Sequence, residues 1–436
     1  MKNNESHPLL ANCLHDLPLR IILFWDDPLH FLREIMMEAQ EKNAMQLAKK
    51  RTKRWPILLV IALVVFVVAG GLLYSFRYRI ILLLTNSHEV SGTAGVVNLH
   101  LPPGFQVNVF STGLHAPRFI TFSPDGTLFV ADSGTGSIVA LPDAGHTGKA
   151  SEKKVIVSGL NYPTSLVFYQ GALYVGEQTR ISRFTLGPDL QVTSKQVIVP
   201  DLPSDGNHLT RTVLVGPDGN LYVSIGSTCN VCIESDPHRA SVWVYHLDGS
   251  RGRLYARGLR NAVGMAINPW NKQIWVTNNG RDYMGDNLPP DTVYALQDGG
   301  NYGWPRCHAG DLLDPDYGHP GDCKGVVAPL INLQAHSAPL GLAFYNVGQF
   351  PSQYHGLFIA FHGSWNRSVP TGYKVVFVPL SAHGQVVGPV QDFATGWLVN
   401  NDNASGRPVG LVVGPDGALY VSDDKGGVIY RITYKA

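Results

Sequence analysis

One short phrase returns six times along the chain and sets the repeat unit of the fold. Three copies join a Pro-Asp-Gly turn to a short apolar strand, at Pro124–Val130, Pro217–Val223 and Pro415–Val421. Three degenerate copies keep only the strand, at 171–175, 271–276 and 355–359. Their equivalent aromatic residues lie 45 to 83 residues apart, at Phe129, Tyr174, Tyr222, Trp275, Phe358 and Tyr420. A period of about 40 to 50 residues with short strands is typical of a propeller blade. The sequence therefore predicts an all-β, six-bladed β-propeller.

The chemistry of the turns agrees with this fold. Proline fixes φ, aspartate binds its own backbone, and glycine adopts φ > 0, so two short strands can reverse tightly. Long amphipathic helical patterns are absent after residue 100. A β-sandwich is the alternative, but it has no reason to repeat one phrase six times. We expect residues 105–111 to pair beside residues 428–434, because this pairing closes the ring and removes exposed strand edges.

A separate apolar segment precedes the propeller. No charged residue occurs from Trp55 to Phe76, and about 20 apolar residues suffice to cross a membrane. Basic residues are more numerous before this run than after it, which predicts a cytoplasmic N-terminus. The predicted organisation is a cytoplasmic segment, 1–54, a single transmembrane helix, 55–76, a linker, 77–100, and an exported or periplasmic propeller, 101–436. A cleaved signal peptide starting at Met45 is the alternative.

The cysteines are consistent with export. Cys13 precedes the apolar segment, and the other four fall in the propeller. An even number in an oxidising compartment favours disulfides, with the local pairs Cys229–Cys232 and Cys307–Cys323. A four-thiolate zinc site and a redox-active Cys-x-x-Cys are alternatives for the same residues. The net charge of +1 argues against a nucleic-acid surface.

Alignment of the six copies brings polar residues to the start of each innermost strand, where a propeller opens into its central channel. These positions hold His115, Asn161, His208, Arg260, His336 or Ser337, and Gly406 or Arg407. Each histidine alone could simply cap a strand. Together, converging His, Arg and Asn side chains predict a site for a polar, anionic ligand.

At these residues the chain resembles a known family. The segments 207–219, 258–261 and 299–305 are similar to the glucose/sorbosone dehydrogenase family, quinoprotein propellers that use pyrroloquinoline quinone (PQQ). The resemblance covers roughly residues 100 to 434 and includes the soluble aldose sugar dehydrogenases. Segments 226–232, 362–367 and 406–410 resemble most the membrane-anchored sorbosone dehydrogenase-like branch.

The resemblance implies roles for individual residues. His208 matches the general base that takes the proton of the substrate hydroxyl, and a neutral imidazole suits that task. Arg260 matches the arginine beside the quinone carbonyls, where its charge stabilises the reduced cofactor. The other implied cofactor contacts are Asn207, Asn261, Arg407, Arg367, Asn161 and His336. The chain departs from soluble members at Val409, where they carry a second arginine, and Arg367 only loosely matches their lysine.

The resemblance also implies a calcium ion. In the family, backbone carbonyls of a loop after a fourth-blade strand join the cofactor oxygens around Ca²⁺. Gly280 and Arg281 occupy that loop here, and Asp282 and Asp286 add hard oxygen donors, which calcium prefers. By itself such a loop would more often be a solvated turn.

Three classes of function follow from these observations. The first is a PQQ- and calcium-dependent oxidoreductase that oxidises an aldose, a sugar aldehyde or a polyol and passes electrons to an acceptor in the membrane or periplasm. The second is a non-enzymatic binding propeller on a membrane stalk. The third is a propeller lactonase or other metal hydrolase, which would need a ring of carboxylates around its metal.

Overall fold

The computed structural model describes residues 36–37, 40–42, 59–72, 95–400 and 403–435. The chain divides into two compact units, Met1–Arg77 and Tyr78–Ala436. In the first unit, residues 36–37, 40–42 and 59–72 are helical. Within the described residues, no helix is both long and apolar enough to cross a membrane. The ends of the predicted membrane helix, 55–58 and 73–76, lie outside the described residues, as does most of the predicted cytoplasmic segment.

The second unit contains six blade sheets arranged in chain order, as predicted for a six-bladed propeller. Each has four antiparallel strands, and the sheet of blade three gains a fifth. The first strand is β1 (Phe105–Ser111). Blade one contains β2 (Pro117–Phe122), β3 (Leu128–Asp132), β4 (Ser137–Leu141) and β5 (Lys154–Val157). Blade two contains β6 (Ser165–Tyr169), β7 (Ala172–Glu177), β8 (Arg180–Leu186) and β9 (Val192–Val199). Blade three contains β10 (Arg211–Val215), β11 (Leu221–Ile225), β12 (Ser241–Tyr245) and β13 (Arg253–Arg257).

The long interval in the repeat is an insertion within blade four. The blade begins with β14 (Ala262–Ile267), β15 (Ile274–Asn278) and β16 (Asp291–Ala295). The insertion then forms β17 (Gly300–Asn301), which adds in parallel to β13, and a small hairpin of β18 (Cys307–His308) and β19 (Leu312–Leu313). The chain returns to blade four as β20 (Ile331–Leu333), which pairs with β16.

The last two blades complete the ring. Blade five contains β21 (Pro339–Tyr345), a 3-10 helix (Ser352–Tyr354), β22 (Gly356–Phe361), β23 (Lys374–Pro379) and β24 (Gln391–Ala394). A small hairpin of β25 (Leu398–Asn400) and β26 (Asn403–Ala404) follows. Blade six contains β27 (Pro408–Val413), β28 (Leu419–Asp423) and β29 (Val428–Tyr434).

Blade six takes its outermost strand from the opposite end of the propeller sequence. Strand β1 pairs antiparallel with β29, and Phe105 lies opposite Tyr434. This confirms the predicted ring closure. Aromatic side chains pack where β1 joins blade six. Phe105 makes edge contacts with Phe350, Tyr354 and Phe393, at centroid distances of 4.8 to 4.9 Å.

Neighbouring blades are joined by hydroxyl groups on their first two strands. Ser165 of blade two donates to the carbonyl oxygen of Arg211 in blade three, at 2.8 Å. Thr277 of blade four donates to the carbonyl oxygen of Leu340 in blade five, also at 2.8 Å. These bonds satisfy carbonyl groups that would otherwise be buried without a partner. The inner strands are thereby held in register at the mouth where the ring of polar residues lies.

Candidate active site

The predicted polar ring lies just before the innermost strands, and its backbone is anchored in a repeated way. In four blades, a carboxylate or amide oxygen at the end of the second strand accepts a hydrogen bond from the backbone N–H of the ring residue or, in blade four, of the residue after it. The pairs are His115 with Asp132 (2.7 Å), Asn161 with Glu177 (2.8 Å), Asn261 with Asn278 (3.1 Å) and Arg407 with Asp423 (2.7 Å). The same contact therefore fixes where each inner strand starts.

A cavity of about 360 Å³ opens on the side of the ring formed by blades three to five. This volume lies within the range of about 300 to 1,000 Å³ that is usual for small-molecule sites. Seven predicted site residues line it: Asn207, His208, Arg260, Asn261, Gly280, Asp282 and His336. Four further lining residues, which the sequence did not indicate, are Asn279, Asp291, Ala338 and Trp365.

One nitrogen of the His208 imidazole is held by Ser227. The Nδ1 atom lies 2.9 Å from the backbone carbonyl oxygen of Ser227 and 3.0 Å from its Oγ. The Ser227 hydroxyl itself donates to the carbonyl oxygen of Cys229, at 2.6 Å, so its oxygen can accept from the imidazole. Both partner oxygens act as acceptors, so the Nδ1 atom of His208 must carry the hydrogen. The proton of the neutral ring is therefore on Nδ1, and Nε2 carries a lone pair.

The protonation state of His208 follows from its surroundings. Burial and the nearby positive charge of Arg260 lower the pKa of His208 to about 3. The imidazole is therefore neutral at physiological pH in the ligand-free protein. Two buried arginines hold the segment that carries it, because Arg211 and Arg239 both donate to the carbonyl oxygen of His208, at 3.1 and 3.2 Å.

The guanidinium of Arg260 is almost completely enclosed at the floor of the cavity. Its Nη2 atom donates to Asp282 Oδ2 at 2.8 Å and to Asn230 Oδ1 at 2.9 Å, and its Nε atom donates to the Asn230 carbonyl oxygen at 2.9 Å. A longer contact of 3.4 Å joins Nη1 to the carbonyl oxygen of Asn279. The ion pair with Asp282 compensates for the buried charge,. Nη1 carries a second N–H, which could donate to a ligand if no residue outside the described ranges accepts from it.

The Asn261 side chain brings an unsatisfied acceptor to the same cavity. Its Oδ1 atom is buried and has no hydrogen-bond partner among the described residues. Gly226 allows the close approach, because a Cβ atom there would lie 2.5 Å from Asn261 Oδ1 and 2.6 Å from His208 Cβ. A buried oxygen without a donor is costly unless a ligand, an ion or water satisfies it. The atom therefore marks a ligand-facing point of the cavity.

Asp291 is the most buried acid of the cavity. It is 2% exposed, and its two oxygens accept hydrogen bonds from the backbone N–H groups of Gly280, at 2.8 Å, and Ala338, at 3.0 Å. Burial raises the pKa of Asp291 to about 7. It joins the loop of blade four to the start of blade five and so shapes one wall of the site.

Arg407 lies in an adjoining cavity of about 520 Å³. Its guanidinium donates to the carbonyl oxygens of His362 and Gly363, at 3.0 and 2.9 Å. Trp365, which is 41% exposed, lines both cavities. The structure therefore places Arg407 next to the His208 cavity, on the other side of this tryptophan.

Four other predicted site residues do not line the His208 cavity. The Asn161 side chain donates to Thr179 Oγ1 at 3.1 Å, and the Arg367 guanidinium donates to the Asp286 carbonyl oxygen. The Asp286 carboxylate accepts from the backbone N–H of Ser368 at 2.9 Å, so it ties two loops together. Arg281 is buried in ion pairs with Asp314 and Asp316 of the insertion. The side chains of Arg281 and Asp286 are therefore used structurally, which leaves Gly280 and Asp282 facing the cavity.

Both predicted disulfides are present. Cys229 is bonded to Cys232 and Cys307 to Cys323. In the described residues, the one close group of three metal-ligating side chains consists of Cys229, Cys232 and Glu234, and its two cysteines form the first disulfide. The four-thiolate zinc site is therefore wrong for the oxidised chain, because all four of these cysteines are in disulfides.

The sequence offers little that would have identified the four lining residues that it did not predict. Asp291 opens a strand directly after two prolines, and Asn279 follows the end of a strand, so neither belongs to the aligned ring. Trp365 lies inside the segment 362–367, which carries part of the family resemblance. Its position between two cavities depends on how the loop after β22 folds back over the mouth, which no local pattern predicts.

These features define a class of protein: a six-bladed propeller with a polar cavity at its central mouth that is lined by both a neutral histidine and a buried arginine. The chain matches the TrAA12-like family over residues 99–311 and 318–435. It belongs to this family, and the predicted relationship to PQQ-dependent sugar dehydrogenases and soluble aldose sugar dehydrogenases is confirmed.

Individual relatives agree with this membership. The chain is 30% identical over 379 residues to an uncharacterized protein of Borreliella burgdorferi, covering 83% of this chain and 97% of that one. It is 29% identical over 403 residues to the pyrroloquinoline quinone-dependent pyranose dehydrogenase of Coprinopsis cinerea, covering 77% of this chain. The match spans 54% of that enzyme's length.

Solved structures show the same fold. The holo form of the PQQ domain of the Coprinopsis cinerea pyranose dehydrogenase is similar, with a TM-score of 0.67 at 25% identity, over 79% of this chain and 100% of that domain. The calcium structure of the Trichoderma reesei carbohydrate-active enzyme of family AA12 gives a TM-score of 0.67 at 25% identity, over 80% of this chain and 100% of that one.

Proposed function

We propose that the propeller is a PQQ-dependent dehydrogenase that oxidises a sugar hydroxyl to a carbonyl group. The observation that carries this proposal is the pairing of His208, with its Nε2 lone pair available, and the buried Arg260 in one cavity. Family membership and the names of the pyranose and sugar dehydrogenase relatives support it.

The side chains of the site fit the cofactor. PQQ is a planar tricarboxylate with two adjacent quinone oxygens, so its binding site needs fixed positive charge and N–H donors. Arg260 supplies both in the His208 cavity, and Arg407 supplies a second guanidinium beyond Trp365. The unsatisfied Asn261 Oδ1 offers an acceptor to an N–H group or a cation. When bound, PQQ accepts the hydride that leaves the sugar carbon.

The protein's own residues then have separate tasks. His208 Nε2 takes the proton of the sugar hydroxyl, so the substrate loses one proton to the protein and one hydride to the cofactor. Ser227 keeps the imidazole in the required tautomer. Arg260 provides positive charge that is already in place when negative charge develops, which costs no reorganisation during the reaction.

We propose that the site also binds calcium. The carbonyl groups of Gly280 and Arg281 are the predicted ligands, and Asp282 and Asp291 bring carboxylates to the same cavity. Hard oxygen donors of this kind suit Ca²⁺. The calcium structure of the Trichoderma reesei relative supports this proposal.

For the whole protein we propose a single-pass membrane anchor at 55–76 with the propeller on the exported side. The uncharged run and the excess of basic residues before it support this arrangement,. The two disulfides support an oxidising compartment,. Aldoses, sorbosone-like sugar aldehydes and polyols are the substrate candidates, with an electron acceptor in the membrane or periplasm.

The test is reconstitution of the purified protein. Apoprotein is loaded with PQQ and Ca²⁺, and reduction of a redox dye is followed with a panel of aldoses, sugar aldehydes and polyols. Dye reduction that requires a sugar, PQQ and His208 supports the proposal. If loaded protein reduces no dye with any of them but binds glycans, the binding-propeller alternative is favoured. Release of acid from a sugar lactone without PQQ would instead favour the hydrolase.

A further inference from the structure

The Cys229–Cys232 disulfide closes a four-residue loop against the floor of the candidate active site. This loop contacts Arg260 directly and is linked to His208 through Ser227. On one side, the carbonyl oxygen of Cys229 accepts from the Ser227 hydroxyl at 2.6 Å, and Ser227 holds His208. On the other side, Asn230 contacts Arg260. A single covalently closed loop thus connects the supports of the base and of the arginine.

Asn230 holds the Arg260 guanidinium at two points. Its backbone carbonyl oxygen accepts from Nε at 2.9 Å, and its side-chain Oδ1 accepts from Nη2 at 2.9 Å. Two acceptors on two different nitrogens fix the plane of the guanidinium, because its five N–H groups form a rigid fork. Asp282 shares Nη2 with the Asn230 side chain, so the amide and the carboxylate together fix this end of the guanidinium.

Asn230 is itself fixed by groups around it. Its Oδ1 also accepts from the backbone N–H of Asp282 at 2.8 Å, and its Nδ2 donates to the Asp282 carbonyl oxygen at 3.1 Å. The indole N–H of Trp304 donates to the Asn230 carbonyl oxygen at 3.3 Å. These contacts use the amide in one orientation only, with the oxygen toward Arg260. Asp282 in turn is the ion-pair partner of Arg260.

We propose that Asn230, held in the loop closed by the Cys229–Cys232 disulfide, is the positioning residue for Arg260. It orients the guanidinium so that the second N–H of Nη1 can donate to a ligand that binds in the cavity. This inference rests on the proposed function, since it assigns how the arginine of that site is aimed. Asn230 has no direct contact with the cofactor in this account, so its effect must pass through Arg260.

The test is a double-mutant cycle on cofactor affinity, measured by titrating purified apoprotein with PQQ and following its absorbance. Asn230→Ala removes Oδ1 and Nδ2 but keeps the backbone acceptor. Because Arg260 would no longer be held in the orientation that binds the cofactor, Asn230→Ala should weaken PQQ binding by roughly 10-fold, which is about 1.4 kcal/mol. In an Arg260→Ala background, the same change should alter the affinity by less than about 2-fold, because the group that Asn230 positions is gone.

A matched control separates positioning from general damage to the fold. Asn268 is fully buried and also makes backbone contacts through its amide, to Gly384 at 3.0 Å and Trp270 at 3.0 Å, but lies away from the site. Asn268→Ala should lower the melting temperature and leave PQQ affinity within about 2-fold of wild type. In loaded protein, Asn230→Ala should lower kcat more than it changes KM for the sugar.

The outcomes are distinguishable. Weak binding by Asn230→Ala that disappears in the Arg260→Ala background supports the positioning role. Equal losses in both backgrounds, or wild-type affinity in Asn230→Ala, contradict this role while wild-type protein still binds PQQ and turns over sugar. If wild-type apoprotein binds no PQQ at all, the proposed function fails, and the inference fails with it.

Discussion

The Nδ1 atom of His208 lies 2.9 Å from the carbonyl oxygen of Ser227, which makes this nitrogen a donor and leaves Nε2 as the basic atom of the ring. The contact matters because a general base needs one defined tautomer. In the propeller it results from two neighbouring inner segments of blade three, one before β10 and one after β11. The histidine is thereby oriented before any ligand arrives.

Removal of this base should reduce turnover without removing the cofactor site. We expect His208→Ala to lower kcat by roughly 10² to 10⁴-fold, the usual range for a positioned general base, while PQQ binding is largely retained. Arg260→Ala should weaken PQQ binding and hydride transfer together. Steady-state kinetics and PQQ titration check both. His246→Ala, at an exposed turn of blade three, is the control, and equal activity of His208→Ala and wild type would contradict the assignment.

The low pKa of His208 gives a prediction about pH. Burial and Arg260 lower its pKa to about 3 in the folded, ligand-free protein, whereas an unfolded histidine titrates near 6.5. The unfolded chain therefore binds this proton first, and the free energy of unfolding should decrease as pH falls from 6.5 toward 3. Arg260→Ala should raise the pKa of His208.

NMR of histidine-labelled apoprotein can measure this pKa directly. The His208 signal is identified as the one missing from His208→Ala. We expect the His208 imidazole to remain neutral at pH 5 in wild type. In Arg260→Ala its pKa should be higher than in wild type. An ordinary pKa in wild type, unchanged by Arg260→Ala, would contradict the electrostatic description of the site.

The buried ion pair behind the cavity should be important for stability. Arg281 and Asp314 are 1% and 0% exposed at their side chains, and His308 also contacts Asp314, at 2.7 Å. Asp314→Asn removes the more buried of the two carboxylates that pair with Arg281, the other being Asp316. Breaking a buried ion pair usually costs about 3 to 5 kcal/mol. The exposed pair Arg253–Asp298 is the control, since Asp298→Asn should cost at most about 1 kcal/mol. Chemical denaturation compares them, and similar small losses would contradict the prediction.

The two disulfides should differ in their contribution to stability. Cys307–Cys323 spans 16 residues and Cys229–Cys232 spans 3. Because loop-closure entropy grows with loop length, the longer loop should contribute about 3 kcal/mol and the shorter about 2 kcal/mol. Denaturation of the two double Cys→Ser variants measures both values. A larger loss for the Cys229/Cys232 variant would show that its role is not mainly loop entropy.

The fold could be predicted from sequence because a short turn-and-strand phrase, which acts locally, is repeated in every blade. Each Pro-Asp-Gly turn fixes a hairpin, and the six copies give the blade count without knowledge of distant contacts. The ring closure was also predictable, since Phe105–Ser111 is a strand pattern outside the six copies. The two hairpins β18–β19 and β25–β26 could not be predicted, because their pairing depends on packing and not on a repeated phrase.

The site was only partly predictable, for a physical reason. Position in the repeat places His208, Arg260 and Asn261 at the mouth, and they do line one cavity. The direction of a side chain depends on its neighbours, so Arg281 turns to Asp314 and Arg367 turns to a loop carbonyl instead of the cavity. Asn230 contacts the site from a loop that lies outside the aligned ring.

The central claim is that this propeller transfers a hydride from a sugar to bound PQQ with His208 as the base. The most direct measurement is a single-turnover experiment without oxygen or dye, in which sugar is added to PQQ- and Ca²⁺-loaded protein. We predict that one equivalent of sugar is oxidised per bound PQQ and that the quinone absorbance is lost in wild type, but much more slowly in His208→Ala. Unchanged absorbance and unchanged sugar in PQQ-loaded wild-type protein, across aldoses, sugar aldehydes and polyols, would contradict the claim.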